Sequence, residues 1–245
     1  MTYRNTVEFK VYGDYALFTD PLTKGGEKMS YQLPTYEAIK GVLSSVYWKP
    51  TIVWIIDKVR VIRPIQTQRK GVRPIHYSGG NELAYYTYLK DVEYQVEAHF
   101  EWNLNRPEMA GDRNEHKHHN IAKRMIERGG RRDIYLGCRE CQGYVEPCEF
   151  GLGKGYYDDI EELAFGLMFH GFTYADEAVR DEDRDGMTVR LWRPLLEKGV
   201  LTFLRPEECT ATRRIKDMEL KKFSRELENF SPAEHLLGGE LLELD

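Results

Sequence analysis

The sequence DVEYQVEAHFEW, residues 91–102, alternates apolar and polar side chains over its whole length. A two-residue period is typical of a β-strand that buries one face. We therefore expect one side of this strand to lie in the core and the other to face water. The apolar side comprises Val92, Tyr94, Val96, Ala98, Phe100 and Trp102, and the polar side Asp91, Glu93, Gln95, Glu97, His99 and Glu101.

Upstream of this strand the pattern predicts a strand, a helix and a second strand. TVEFKVYGDYALF, residues 6–18, alternates in the same way. Thr35 is a suitable N-cap for a helix that should end near Lys49, because Pro50 disfavours the helical conformation in the residue before it. TIVWIIDKVRVI, residues 51–62, then indicates a buried strand that continues into a basic, exposed extension.

Downstream lies a second amphipathic helix. Its apolar stripe has helical spacing, and Gly129–Gly130 supplies a C-terminal stop. The stripe comprises His118, Ile121, Ala122, Met125 and Ile126. DIYLGCRECQGYV, residues 133–145, then favours one further strand. The resulting order is β-α-β-β-α-β, which predicts a ferredoxin-like (RRM-like) domain over residues 1–150 of an α+β protein.

Residues 151–245 have a different pattern. Short strand candidates separated by turns, at residues 165–174, 187–196 and 199–206, predict a smaller, antiparallel β-rich domain. The acidic tail from about Phe223 onwards is compatible with a short helix or with disorder.

Composition narrows the class of protein. The chain has 245 residues and is 41% apolar, which is enough for a substantial core. Its longest apolar run is far below the roughly 20 residues of a membrane-spanning helix, and no signal region precedes the first strand. We therefore expect a cytoplasmic protein, and its four cysteines should be reduced thiols.

Charge is segregated along the chain. The net charge is −5, but residues 113–139 carry 8 Lys and Arg against 3 Asp and Glu, whereas residues 217–245 carry 3 against 8. A second basic stretch covers residues 58–73. Clustered positive charge is expected of a protein that binds a phosphate backbone, although each stretch alone is also compatible with a solvated surface.

Three histidines accompany the basic segment, in RNEHKHHNIAKRMIERGGRRD, residues 113–133. His118 could be a hydrogen-bonded core residue, because it lies on the apolar stripe. His116 and His119 could also bind zinc together with Cys138 and Cys141, although the spacing and order differ from familiar motifs. In a third interpretation, imidazole acts as a general base without metal, since its pKa of about 6.5 lies near the operating pH.

The segments GDYALFTDPLTKGGEKMSY, SSVYWKPT and NEHKHHNIAKRMIERGGRRDIYLGCRECQGYV resemble the CRISPR-associated "Cas five" proteins of subtype I-C, the d variant, within the RAMP superfamily. The resemblance covers most of the chain up to about Phe150. It implies a ferredoxin-like domain followed by a smaller β-rich domain. It also implies an endoribonuclease that cuts CRISPR repeat RNA without metal or cofactor and then holds the 5′ handle of the guide RNA within the surveillance complex.

The resemblance places the active site at Tyr47, Lys117 and His118. The family motif has one histidine here, so His116 or His119 could share or replace the role of His118. A phenol with a pKa near 10 is a weak base at neutral pH, so Tyr47 should orient the 2′-hydroxyl or donate a hydrogen bond. His118 is then the general base, or the acid for the leaving oxygen, and Lys117 stabilises the phosphorane.

RNA binding is assigned to exposed cations. The candidates are Lys24, Lys70, Arg73, Arg131 and Arg132. The last two could instead offset the dipole at a helix C-terminus. Two other functions remain open from the sequence: a structural subunit that caps the guide RNA without cutting, and a zinc-dependent hydrolase that uses the His and Cys pairs.

Overall fold

The computed structural model describes residues 4–20, 23–75, 79–80 and 82–218. Within these ranges lie two α-helices, α1 (Tyr36–Val46) and α2 (Glu115–Glu127). The strands are β1 (Val7–Ala16), β2 (Ile52–Val61), β3 (Thr67–Val72), β4 (Ala84–Trp102), β5 (Ile134–Tyr135), β6 (Gln142–Pro147), β7 (Glu162–Ala164), β8 (Met168–Thr173), β9 (Gly186–Trp192), β10 (Leu195–Glu197), β11 (Val200–Thr202) and β12 (Ala211–Asp217). The expected acidic tail lies outside the described residues.

These strands form two sheets of antiparallel pairs. The larger has nine strands in the order β5-β6-β1-β4-β2-β11-β10-β7, with β3 paired to β4 beside this path. The smaller has the order β12-β9-β8. Strand β11 pairs with β2, so strands from beyond residue 150 continue the larger sheet. The protein is therefore an α+β fold dominated by its sheets. Neither described helix has the length and apolar character needed to cross a membrane.

Helix α1 begins and ends as its sequence requires. The Thr35 side chain accepts a hydrogen bond of 3.2 Å from the Ala38 amide, which confirms the predicted N-cap. The helix ends at Val46, because Tyr47 is extended with φ −156°. Its apolar face packs on the sheet, where Phe9, Val96 and Leu43 are fully buried. The chain therefore leaves the helical path at Tyr47, directly after the buried Val46.

Strand β4 begins seven residues earlier than expected, and its first part pairs with β3. We call residues 67–72 and 84–89 the ribbon.

The prediction that the polar side of β4 faces water was wrong for Gln95 and His99, which are buried. The chain from residue 149 to 158 covers this side, and Gln95 donates a hydrogen bond of 2.7 Å to the Leu152 carbonyl.

The expected single strand over residues 133–145 is a hairpin. Strands β5 and β6 pair with each other across a tight turn. In this turn the Cys141 amide donates to the Cys138 carbonyl at 3.0 Å, and Gly137 has φ +93°. A continuous strand is incompatible with this left-handed backbone, which only glycine adopts without strain.

We expect Gly137→Ala to destabilise the protein by about 2 kcal/mol or more. A Cβ there would lie 2.1 Å from the Leu17 carbonyl oxygen, and the backbone would also be strained. Urea unfolding measures the change. Gly41→Ala is the matched control, because nothing lies within 4 Å of its Cβ position and helix propensity should stabilise it by about 0.5–1 kcal/mol. Equal changes in the free energy of unfolding for the two variants would contradict the tight left-handed turn at Gly137.

A partly buried charged cluster joins β2 and β4 to the chain that follows β11, and His99 is its fully buried member. His99 Nδ1 lies 2.7 Å from Asp57, and Arg205 donates two bonds of 3.0 Å to Glu101. The hydrogen bond with His99, assisted by Arg205, lowers the pKa of Glu101 to about 2. Burial alone would lower the pKa of His99, but its bonds to Asp57 and Glu101 outweigh burial and raise that pKa.

This cluster makes stability depend on pH in a defined window. The Glu101 contribution is present above its ordinary pKa of 4.5 and is lost as the pH falls towards about 2. The His99 contribution is present below its ordinary pKa of 6.5 and is lost as the pH rises through its raised pKa.

We expect Glu101→Gln to flatten the acid side of the stability profile, measured by urea unfolding between pH 3 and 6. Glu161→Gln, in an exposed ion pair with Lys198, should leave the profile unchanged.

Candidate active site

The start of α2 fixes the positions of two predicted site residues. The Asn114 side chain accepts a hydrogen bond of 3.0 Å from the Lys117 amide and caps the helix. Consecutive helical residues point in different directions, so Lys117 and His118 diverge. Lys117 is exposed, whereas His118 lies fully buried on the apolar stripe. Both the core interpretation and the site interpretation of His118 are therefore compatible with its placement.

Tyr47 and His118 meet inside the protein, although 71 positions separate them in the chain. The Tyr47 hydroxyl lies 2.7 Å from His118 Nδ1. Tyr47 reaches this point because the extended backbone after α1 directs its ring towards the first turn of α2. Two of the three predicted site residues are thus in direct contact.

The other ring nitrogen of His118 determines the tautomer. His118 Nε2 lies 2.7 Å from the backbone carbonyl of Asp112. A carbonyl only accepts, so Nε2 carries a proton and donates it to this bond. In the neutral ring Nδ1 is then unprotonated and accepts from the Tyr47 hydroxyl.

The Asp112 carboxylate contacts Lys117 and connects it to His118. Its carboxylate forms an ion pair with the Lys117 ammonium, accepts a hydrogen bond of 3.0 Å from the Thr51 hydroxyl, and lies 3.5 Å from His118 Nε2. The hydrogen bond from Lys117 lowers the pKa of Asp112 and outweighs the opposing effect of partial burial. Tyr47, Lys117 and His118 thus form one cluster around Asp112.

Asp112 and Thr51 were missed in the sequence analysis. Asp112 could have been suspected, because the cap at Asn114 places it in the turn that precedes α2. It ends a short 3-10 segment, Pro107–Asp112, in which no residue is buried. Thr51 had no such signal, because only the tertiary fold brings the start of β2 to this turn.

The surroundings of Tyr47 weaken it as a base. Burial and, to a smaller extent, the negative charge of Asp112 raise the pKa of Tyr47 to about 12, although the positive charge of Arg131 opposes this shift. The phenolate is therefore a very minor form at neutral pH. Tyr47 is suited to donating or orienting a hydrogen bond.

The two flanking histidines lie elsewhere on α2. His116 is exposed on the helix surface. His119 is partly buried, and its Nε2 lies 2.9 Å from the Thr6 carbonyl. Of the three imidazoles, His118 is the one bonded to Tyr47.

The proposed zinc ligands do not form a metal centre in the described ranges. No group of three or more His, Cys, Asp or Glu side chains that could hold a metal occurs among residues 4–20, 23–75, 79–80 and 82–218. Cys138 and Cys141 lie in the β5–β6 turn with their Sγ atoms 3.5 Å apart. All four cysteines are free thiols.

Three of the predicted RNA-binding cations lie at the ribbon. The Lys70 ammonium stands 3.1 Å from the centre of the Tyr15 ring, and Arg73 is exposed just after β3. Lys24 is exposed in a loop whose Lys28 carbonyl accepts from the Thr87 amide of the ribbon at 2.9 Å. Cations interleaved with tyrosines are a surface suited to single-stranded nucleic acid.

Arg131 and Arg132 lie at the other end of α2. Both backbone amides donate to the Ser45 carbonyl, at 3.2 and 3.1 Å, so this turn docks on the end of α1. Both side chains are exposed. Arg131 lowers the pKa of Tyr47, which places it in the electrostatic range of the cluster. The predicted cations therefore form two groups, one on the ribbon and one near Tyr47.

The Cas5d family model, described as "CRISPR-associated protein (Cas_Cas5)", matches residues 6–204. The chain belongs to the CRISPR-associated Cas5 family. The family predicted from the motif around residues 113–145 is therefore confirmed.

Individual relatives agree with this assignment. The CRISPR pre-crRNA endoribonuclease Cas5d of Mannheimia succiniciproducens is 28% identical over an alignment of 227 residues, which covers 80% of this chain and 94% of that protein. The protein of the same name from Thermus thermophilus is 29% identical over an alignment of 174 residues, which covers 66% of this chain and 73% of that protein. A crystal structure of a CRISPR-associated protein is 34% identical with a TM-score of 0.72, and covers 85% of this chain and 96% of that chain.

The buried position of His118 predicts a pattern of chemical reactivity. We expect diethyl pyrocarbonate to modify exposed His116 at least tenfold faster than His118, because the reagent must reach a ring nitrogen. Peptide mapping by mass spectrometry measures both rates in the RNA-free protein. Fully buried His170 is the internal control, and all histidines should react alike in denaturant. Equal rates at His116 and His118 in the folded protein would contradict the geometry.

Proposed function

We propose that this chain is a metal-independent endoribonuclease that cleaves CRISPR repeat RNA in the precursor transcript. It then remains on the 5′ handle of the guide RNA as a subunit of the type I-C surveillance complex in the cytoplasm. The observation that carries the proposal is the position of Tyr47, Lys117 and His118 in one cluster: Tyr47 contacts His118, and both His118 and Lys117 contact Asp112. The relatives that bear the name CRISPR pre-crRNA endoribonuclease support it.

The proposed reaction needs no added nucleophile. The RNA 2′-hydroxyl attacks the adjacent phosphorus, forming an O2′–P bond while the P–O5′ bond breaks. The 2′-hydroxyl proton passes to a base on the protein, and the leaving 5′-oxygen takes up a proton. The products are a 2′,3′-cyclic phosphate on the upstream fragment and a 5′-hydroxyl on the downstream fragment.

The geometry favours distinct roles for the three residues. His118 acts as the general base or the acid, because imidazole can take up or release a proton near neutral pH. Tyr47, with its raised pKa, orients the 2′-hydroxyl through hydrogen bonds. Lys117 supplies positive charge to the phosphorane. Arg131 and Arg132, with Lys70 on the ribbon and Lys24 and Arg73 in the adjoining loops, hold the RNA backbone.

The topology supports the ferredoxin-like part of the proposal. The succession β1-α1-β2-β4-α2-β6, with β6-β1-β4-β2 adjacent in the sheet, has the order of such a domain. We propose a domain boundary near residue 150 on the same basis. The C-terminal part would then contribute the three-stranded sheet and also extend the first sheet through β11.

A second candidate function is a structural subunit that caps the guide RNA without cutting it. The observation in its favour is the burial of His118, whose two ring nitrogens are both hydrogen-bonded. An imidazole in this state cannot reach a substrate. The two functions differ in whether the cluster opens when RNA binds.

Cleavage of labelled repeat RNA in excess EDTA separates these functions. We expect the unmodified protein to cut, and Lys117→Ala and His118→Ala to lower the single-turnover rate by about 10²–10⁴-fold. Tyr47→Phe should have a smaller effect, because the ring is retained and only the hydroxyl is lost.

Controls make this test specific. His116→Ala removes a neighbouring exposed imidazole and should leave the rate unchanged. A 2′-deoxy substitution at the cut site should abolish cleavage, since it removes the nucleophile. Tight binding without cleavage by any form would select the structural function. Activity that returns only with added zinc would select a metal-dependent hydrolase.

A further inference from the structure

The carboxylate of Asp112 is held by the groups that the proposed reaction requires at the scissile phosphate. The Lys117 ammonium contacts Oδ1, the Thr51 hydroxyl donates to Oδ2 at 3.0 Å, and His118 Nε2 lies 3.5 Å from Oδ2. A lysine, a hydroxyl and an imidazole around one anion make a suitable site for a phosphodiester oxygen.

Asp112 matches a phosphodiester in charge. The hydrogen bond from Lys117 lowers the pKa of the Asp112 carboxyl, so it carries one negative charge at neutral pH. A phosphodiester linkage carries the same single charge and offers two oxygens as acceptors. The two anions can therefore replace each other at the same donors.

The cluster is closed in the RNA-free protein. His118, Thr51 and Tyr47 expose 0%, 1% and 3% of their surface, so a substrate cannot contact them. Asp112 belongs to the segment Pro107–Asp112, in which no residue is buried. Because the segment buries none of its own side chains, its opening costs mainly the Asp112 contacts with Lys117, Thr51 and His118, which an incoming phosphate can replace in part.

We propose that Asp112 occupies the subsite of the scissile phosphate in the RNA-free protein, and that RNA displaces it together with the segment Pro107–Asp112. The phosphate then takes over Lys117 and Thr51, which makes Thr51 a phosphate-binding residue. The release of the Asp112 carbonyl frees His118 Nε2 at the same time. This inference rests on the proposed function, because it concerns the same site.

If Asp112 instead positions Lys117 and His118 during the reaction, its substitution should have a different effect. A carboxylate that holds Lys117 and His118 in place during the reaction would be a positioning residue, and its loss would slow cleavage. A carboxylate that competes with phosphate would weaken RNA binding, and its loss would strengthen it. Affinity and rate, measured separately, therefore distinguish displacement from positioning.

The first test compares Asp112→Asn with the unmodified protein. We expect the variant to bind uncleavable RNA, with a 2′-deoxy cut site, about threefold or more tightly, since a competing ion pair is removed. The single-turnover cleavage rate should stay equal or rise. Glu108→Gln is the matched control, because it makes the same change in the same segment but its carboxylate faces Arg106. Thermal unfolding verifies that both variants fold.

A double-mutant cycle tests the link to Lys117. If Asp112 acts by occupying the Lys117 ammonium, the gain in RNA affinity from Asp112→Asn should disappear in a Lys117→Ala background. An equal gain in both backgrounds, or no gain in either, would overturn the proposal. Cleavage that slows tenfold or more in Asp112→Asn with unchanged affinity would overturn it too, and would make Asp112 a positioning residue.

Thr51 is tested in an Asp112→Ala background, where its carboxylate partner is gone. In this background, an effect of a Thr51 substitution on RNA affinity reflects a direct contact between Thr51 and the RNA. We expect Thr51→Val, which removes the hydroxyl at constant shape, to weaken binding about twofold or more, and Thr51→Ser to restore it. Equal affinity for the two variants would remove Thr51 from the phosphate subsite.

Failure of this inference and failure of the proposed function give different results. If no form of the protein cuts RNA, but Asp112→Asn still binds more tightly and needs Lys117 to do so, the phosphate subsite holds and the nuclease proposal fails. If the unmodified protein cuts in EDTA while Asp112→Asn shows no gain in affinity, the nuclease holds and displacement fails.

Discussion

A buried hydrogen bond of 2.7 Å between the Tyr47 hydroxyl and His118 Nδ1 joins the end of α1 to the start of α2. A buried imidazole needs a partner at both nitrogens, since an unsatisfied buried polar group is costly. The second partner is the Asp112 carbonyl, and this bond fixes the turn that precedes α2. The same turn brings the Asp112 carboxylate to Lys117 and Thr51. One polar contact in the core thus determines the arrangement of the whole cluster.

This arrangement favours stability in the free protein over immediate access for a substrate. The charge of Asp112 is compensated by Lys117, and both His118 nitrogens are bonded. Such a closed site avoids unpaired charges in the absence of RNA. Chemistry on RNA then requires that some of these bonds be exchanged for bonds to the substrate. An exposed segment such as Pro107–Asp112 is where that exchange costs least.

The chain from residue 149 to 158 changes the character of the sheet. It covers part of the side of β4 opposite the helices, where Gln95 donates to the Leu152 carbonyl at 2.7 Å and Arg60 of β2 pairs with Asp158 at 2.7 Å. Buried polar and charged groups are tolerated there because each has its partner in place. The ribbon at the margin of the sheet presents Arg69 and Tyr85 to solvent, whereas its Tyr88 and Leu89 are buried. This leaves the predicted RNA contacts at the periphery and the reactive cluster at the helix ends.

Local chemistry in the sequence determined the elements themselves: the cap at Thr35, the stripe of α2 with its glycine stop, and the alternation of β4. The motif around His118 also indicated the family and the residues of the candidate cluster. The tertiary structure decided what these elements enclose. Burial of Gln95 and His99, the hairpin at Gly137, and the positions of Asp112 and Thr51 all depend on segments distant in the chain. Periodicity reports the preference of each segment for a buried or exposed face, whereas the identity of the covering segment depends on packing that no local pattern encodes.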